Sequence, residues 1–287
     1  MANSDMAWAK VDTAHVPPEI DTTRPSVARV YDAILGGKDN FAADRAVAAQ
    51  AVKATGDGGK GARLNRAALG RAVQFMCRQG VTQFLDLGSG LPTAQNTHQI
   101  AQAVNPAARV VYVDNDPSAY VHGQALLTGD ASTVVVLADI REPDKLLARL
   151  ASANKRKEPE VAGFLDFAQP IGLILNAVIH HVLDEEDPYG IVARYKEALA
   201  PGSYLQLTHF CDSSQEARAN EQVLKKSLGR GQIRSREQIA RFFDGLDLVE
   251  PGLVYLPEWR PDDPVRRPLD PGSMLMLGGV GRKPRKP

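Results

Sequence analysis

The chain has 287 residues, 44% of them hydrophobic, which is enough apolar material for a sizeable core in one large domain or two small ones. Lys plus Arg and Asp plus Glu both number 34, so the formal net charge is zero and no strong basic field is present to attract a nucleic acid. Two isolated cysteines, Cys77 and Cys211, exclude a disulfide framework and a Cys-rich zinc site. Met1 to Ile20 contains Asp5, Lys10, Asp12 and Glu19 and no apolar core of signal-peptide length. No later apolar run approaches bilayer-spanning length. The reading is a soluble cytoplasmic protein with neither a nucleic-acid nor a membrane partner.

Residues 1–24 are polar, include Pro17-Pro18 and lack periodicity, so they read as a flexible arm on which Trp8 offers a docking group. After Pro25 and Ser26, Val27, Val30, Tyr31 and Ile34 share one helical face. Gly36-Gly37 ends that helix, and Asn40 can cap a second from Phe41 to about Lys53. Gly56 to Gly61 reads as a loop and Asn65 to Arg78 as a third helix, which makes residues 25–80 a helical segment.

From Thr82 short apolar runs alternate with helix-length amphipathic segments, the pattern of a parallel sheet with crossover helices. Strands are expected at Gln83–Leu87, Arg109–Asp114, Val134–Ala138, Ile171–Leu175 and Tyr204–Thr208. Helices should fill Thr93–Val104, Pro117–Leu127, Asp144–Ala153 and Pro188–Leu199, with Lys155–Glu160 a solvated loop. Ser214–Leu228 and Arg236–Phe243 look helical, Asp247–Val249 suits a short strand and Met274–Val280 a terminal one. The proline-rich stretch 251–272, with Tyr255 and Trp259, is long for a loop and suits a lid or pocket wall. Residues 81–287 therefore form the α/β core.

Ligands of open α/β sheets bind outside the carboxyl ends of the strands, and the unusual polar residues cluster there. The first strand runs into Asp86-Leu87-Gly88-Ser89-Gly90-Leu91-Pro92-Thr93. Gly88 and Gly90 permit a tight turn and close approach of a ligand, and Pro92 suits a first helical turn. Alone, the loop reads equally as a strand-to-helix turn with no ligand. A dinucleotide fingerprint asks for Gly or Ala where Thr93 stands, which argues against NAD. The loop better resembles the glycine-rich signature of class I methyltransferases, although Pro92 replaces a common third glycine.

Asp114 ends the second strand, with Asn115 beside it, roughly 20 residues past the glycines, where an acid accepts from ribose hydroxyls in NAD enzymes and methyltransferases alike. Asp116 reads as the cap of the helix at Pro117. Asp139 follows the third strand. In the methyltransferase resemblance it accepts from the adenine amino group while the Ile140 N–H faces the ring; otherwise it is a turn residue before Pro143. Asn176, next to Ala177, ends the fourth strand where methyltransferases line the methyl end. His180 is a candidate general base and His209 a second, against the plainer reading of hydrogen-bonded packing residues. Asp184 to Asp187 is better explained as an acidic first turn before Pro188 than as a metal site, so no metal is expected.

Arg29-Val30-Tyr31-Asp32-Ala33-Ile34-Leu35-Gly36-Gly37-Lys38-Asp39-Asn40-Phe41 resembles the opening signature of a family of S-adenosylmethionine-dependent methyltransferases of actinomycete bacteria. Arg63-Leu64-Asn65-Arg66, the Asp86–Thr93 loop, Tyr112 to Pro117, His180-His181 and Pro201 to Leu205 resemble its later landmarks, so the likeness spans residues 24–280. It implies a Rossmann-like core, a mostly parallel sheet with helices on both faces, under an N-terminal helical cap. Tyr31, Gly36, Gly37 and Asn65 would face the cofactor, S-adenosyl-L-methionine, which leaves as S-adenosyl-L-homocysteine. Periodicity alone shows Tyr31 only as a core-facing aromatic. The implied activity is methyl transfer to a small-molecule acceptor; a non-catalytic cofactor-binding sensor and an NAD-dependent oxidoreductase are the alternatives.

Overall fold

A computed structural model describes residues 20–92, 95–127, 131–151, 161 and 163–285. Trp8 with most of the arm, Thr93 and the Lys155–Glu160 loop lie outside the described residues.

Among the described residues eight strands form one sheet: β1 (Gln83–Leu87), β2 (Arg109–Asp114), β3 (Thr133–Leu137), β4 (Gly172–Asn176), β5 (Tyr204–Phe210), β6 (Asp247–Leu248), β7 (Val254–Tyr255) and β8 (Met276–Arg282). Their order is β3-β2-β1-β4-β5-β8-β6, with β7 also paired to β8. The first five are parallel, and β8 runs antiparallel to β5, β6 and β7. Every residue of β1 is buried, as expected of a strand covered on both faces. Alternation sends Leu85 and Leu87 into one core and Phe84 into another.

Three helices precede the sheet: α1 (Val27–Ile34), α2 (Ala42–Thr55) and α3 (Lys60–Arg78). The Ser26 hydroxyl accepts from Arg29 N and caps α1. Asn40 does not cap α2. Asp44 does so from inside the helix, its carboxylate accepting from Phe41 N at 2.8 Å, while Asn40 donates to Asp32 Oδ2. α3 starts five residues before the expected Asn65, because the Asp57 carboxylate accepts from the N–H groups of Gly59 and Gly61 and folds the loop into its first turn. Leu69, Val73 and Met76 of α3 pack on the sheet with Phe84 and Val110.

The crossover helices are α4 (Thr97–Val104), α5 (Pro117–Leu127), α6 (Pro143–Ala151) and α7 (Pro188–Ala198), followed by α8 (Gln215–Leu228) and α9 (Arg236–Ala240). α4 departs most from expectation, since Pro92 lies five residues ahead of it. Its start is set by the Thr97 hydroxyl donating to Asp86 Oδ2 at 2.7 Å and by Gln99 accepting from Asn96 N. The stretch 251–272 is neither featureless nor a pocket wall at its aromatics. It contains β7 and a 3-10 turn at Leu256–Glu258, and Trp259 packs edge-on against Phe75 of α3 at 6.0 Å. Arg71 fastens it by donating to the Trp259 and Leu256 carbonyls.

Candidate active site

A cavity of about 620 Å³ opens at the carboxyl ends of β1 to β4 and is closed from the other side by residues of α1, α2 and α8. It lies where the sheet order reverses between β1 and β4, the ligand position of open parallel sheets.

The β1 loop is built around two left-handed glycines. Gly88 has φ +70°, and a Cβ there would come within 2.2 Å of Val178, so only glycine fits. Gly90 has φ +67° with open space beside it, and its N–H donates to Asp114 Oδ2 at 2.8 Å. Asp114 Oδ1 accepts from Asp116 N, so this one carboxylate ties the β1 loop to the turn after β2. Asp86, Gly88, Ser89, Gly90, Asp114 and Asn115 all line the cavity. Burial is the main force on both acids and pushes Asp86 and Asp114 up to about 6. Asp116 caps α5 as expected, accepting from Ser118 N.

Asp139 and Ile140 also line the cavity. Burial raises the Asp139 carboxyl, but hydrogen bonds from the Arg141 side chain and backbone outweigh it and hold the group below its ordinary value. Arg141 in turn reaches Glu186, which also accepts from Arg230.

Asn176 and Ala177 complete the strand ends. Ala177 adopts φ +55°, a strained conformation for a residue with a Cβ, held by its N–H donating to Thr208 Oγ1 at 2.8 Å. Behind this wall a chain of hydrogen bonds runs into the helices: the Thr208 hydroxyl donates to Asn65 Oδ1 at 2.7 Å, and Asn65 Nδ2 donates to the Tyr31 hydroxyl at 3.0 Å. Tyr31 lines the cavity, whereas Asn65 is fully buried behind it.

Gly36 and Gly37 do not face the cavity as the family resemblance implied. They fold the α1–α2 loop around the Asp32 carboxylate: a Cβ on Gly37 would fall 1.9 Å from Asp32 Oδ1, and Gly36 has φ +79°. Asp39 N and Asn40 Nδ2 donate to the same carboxylate. Nearby, buried Arg29 donates to Asp44 at 2.9 Å, to Ser118 and to the Arg24 carbonyl, locking α1 to α2 and α5.

Of the two candidate bases, His209 is not placed for catalysis. It lies outside the cavity lining, its Nδ1 bonds the Phe210 carbonyl, and its Nε2 faces Arg234 Nη1 at 2.8 Å. Since arginine only donates, Nε2 carries the lone pair and that pair is taken. Burial, aided by Arg234, lowers its pKa to about 3. His180 does line the cavity, on a 3-10 turn (Ile179–His181) that directly follows β4. Burial, with His181, His209 and Arg234 nearby, holds it well below its ordinary value, and His181 falls to about 4 for the same first reason.

Sequence reasoning passed over two cavity-lining residues, Arg66 and Asn220. Arg66 lines the cavity near Asp86 and belongs to the Arg63-Leu64-Asn65-Arg66 motif. Asn220 shares one α8 face with Leu224 and Leu228 at four-residue spacing, a signal the sequence did carry.

A parallel sheet of this order, ending in an antiparallel strand inserted beside β5, with a glycine loop after β1 and acids after β2 and β3, is the Rossmann-like class I methyltransferase fold. The chain belongs to the S-adenosyl methyltransferase family, whose model matches residues 13–284. It is therefore a methyltransferase that uses S-adenosyl-L-methionine. It is similar to a crystal structure of a candidate methyltransferase from Thermobifida fusca, at 45% identity and TM-score 0.86, covering 94% of this chain and 98% of that one. A DUF574 family protein from Streptomyces avermitilis is 37% identical with TM-score 0.84, covering 93% and 100%. No curated protein matches the chain. Neither the sensor nor the NAD-dependent alternative finds support. Among the described residues no helix is long and apolar enough to cross a membrane, and no cluster of three metal-ligating side chains occurs.

Proposed function

We propose that the enzyme methylates a small-molecule acceptor inside this one cavity. The observation that carries the reading is Asp114, a buried carboxylate at the end of β2 that organises the glycine loop and is raised to about 6 because its backbone donors do not offset its burial. Two ribose hydroxyls would supply the missing donors.

The other residues fit the same ligand. Open space beside Gly90 admits the methionine portion against the loop, and Arg66 is suited to its carboxylate. Asp139 keeps acceptor capacity for the adenine amino group beyond its pairing with Arg141, and the Ile140 backbone borders the ring. Asn176 and Ala177 flank the reacting end. When bound, S-adenosyl-L-methionine supplies a methyl group already activated on a positive sulfur, so the protein's task is alignment and exclusion of water. His180 accepts a hydrogen bond from the acceptor's O–H or N–H; its low basicity makes it an orienting group before it is a proton acceptor.

The cap over the site comprises α1 and α2, joined by α8. α3 packs in the layer against the sheet, which supports reading it with the core and not with the cap. Calorimetry with S-adenosyl-L-homocysteine tests the reading: wild type binds, and Asp114→Ala loses about 100-fold or more in affinity with its circular dichroism unchanged. Equal affinity in the two proteins would overturn the assignment.

A further inference from the structure

The cavity extends past the strand ends to a far wall made by the Ile179–His181 turn, Phe210 at the end of β5, and the Asn220, Leu224 and Leu228 face of α8. This wall is one rigid surface. The Phe210 ring lies edge-on to His180 with centroids 4.7 Å apart. The segment after α8 is pinned to the histidine turn, Gln232 N donating to the His180 carbonyl at 2.8 Å and Arg230 Nη1 to the His181 carbonyl at 2.9 Å.

Uncharged polar groups on this wall are few. Asn220, 4% exposed, lines the cavity, and no hydrogen bond of its amide is found among the described residues. The buried Nδ1 atoms of His180 and His181, residues that also line the cavity, lack partners. Buried polar atoms are nearly always satisfied in a finished structure, so unused polar capacity gathered around a cavity marks where a ligand's own donors and acceptors go. Charge on the wall is already cancelled. Arg230, its cation among the described residues, is bound by Glu186, and Glu186 shares Arg141 with Asp139, so two guanidiniums and two carboxylates neutralise one another. α8 presents no carboxylate to the cavity. An acceptor arriving with a net charge would be buried against Phe210, Leu224 and Leu228 with no counter-ion, at a cost hydrogen bonds to neutral groups do not offset.

Resting on the cofactor placement proposed above, we infer that the methyl acceptor is an uncharged, largely apolar molecule with at least two hydrogen-bonding groups, seated between the His180–His181 turn and Asn220. Neutral imidazoles each offer one donor and one acceptor, and the Asn220 amide offers both, which suits hydroxyl, carbonyl or ring N–H groups on a flat body.

The test uses full-length protein saturated with S-adenosyl-L-homocysteine and three matched probes titrated by calorimetry near neutral pH: neutral 6-(hydroxymethyl)-2-naphthol, anionic 6-hydroxy-2-naphthoate and cationic 6-(aminomethyl)-2-naphthol. The neutral probe should bind at least about ten-fold more tightly than either charged one. Asn220→Leu should weaken the neutral probe about ten-fold, and Asn220→Asp should move preference to the cationic probe, both with S-adenosyl-L-homocysteine affinity unchanged. A charged probe binding wild type as well as the neutral one, no probe binding at all, or an unchanged probe order in Asn220→Asp overturns the inference. Failure of wild type to bind S-adenosyl-L-homocysteine would instead overturn the cofactor placement.

Discussion

The α1–α2 loop and the strand ends both bury charged and polar residues, but they use them in opposite ways. In the loop, Arg29 and Asp44 satisfy each other, Asp32 accepts from the Asn40 amide, and local backbone N–H groups complete both carboxylates. At the strand ends, Asp86 and Asp114 are buried without enough donors, and Ala177 is strained. The first region spends its polar groups on holding the chain; the second keeps acceptor capacity in reserve for a ligand. A motif can therefore be dense in polar residues and still be scaffolding.

The contrast breaks most readily at Arg29. Arg29→Met leaves Asp44 buried without its guanidinium and should cost about 3–5 kcal/mol of stability, read as a lowered midpoint in urea. Cofactor affinity in the surviving folded fraction should change little; a large loss of affinity would erase the distinction between the regions. At the strand ends the pattern should invert. Asp114→Ala is expected to leave the urea midpoint within about 1 kcal/mol of wild type while the roughly 100-fold loss of affinity appears, about 2.7 kcal/mol of binding.

The pH dependence sharpens the same contrast. Asp86 and Asp114 move from the ordinary 3.8 up to about 6 in the folded protein, so between those values the folded state binds more protons than the unfolded state. Their contribution to ligand-free stability is full below the unfolded value and is lost as pH rises through about 6. The ligand-free melting temperature should carry this decline between about pH 4 and about pH 6, roughly 1–3 kcal/mol per carboxylate. Stabilisation by S-adenosyl-L-homocysteine should run the other way, larger at pH 7 than at pH 5, because only the ionised Asp114 accepts two hydroxyl hydrogen bonds. The smallest effect belongs to Asp86→Asn, which removes a buried charge but can still accept from Thr97. It should raise ligand-free stability by about 1 kcal/mol in thermal scans while weakening the methionine end of the site.

The same contrast explains what could be read from the chain. Strand positions and their order of polar termini were legible because apolar runs such as Leu173-Ile174-Leu175 allow no other buried element of that length. Asp114 was recognisable because a strand end fixes which way its final residue points. Gly36, Gly37 and Asn65 were misplaced because motif membership says that a residue matters, not which atom it faces; only the fold shows Asp32 filling the space where a Gly37 side chain would stand. His209, the second candidate base, could not be set aside from sequence because its lone pair is occupied by Arg234, 25 residues away in the chain. α4 was drawn too long because its start depends on Thr97 reaching back to Asp86, a contact between elements.

The position of β8 carries a consequence for how the chain assembles. It is last in order among the described strands, yet it lies inside the sheet, the partner of β5 along its full length and the sole neighbour of β6 and β7. Until it arrives, β5 is a seven-residue unpaired edge and the two short strands have nothing to join. Leu275 and Met276, which help enclose the cavity, arrive with it. Closure of the sheet and completion of the binding site thus depend on the same strand, and a nascent or shortened chain without it leaves β5 as an exposed, aggregation-prone edge.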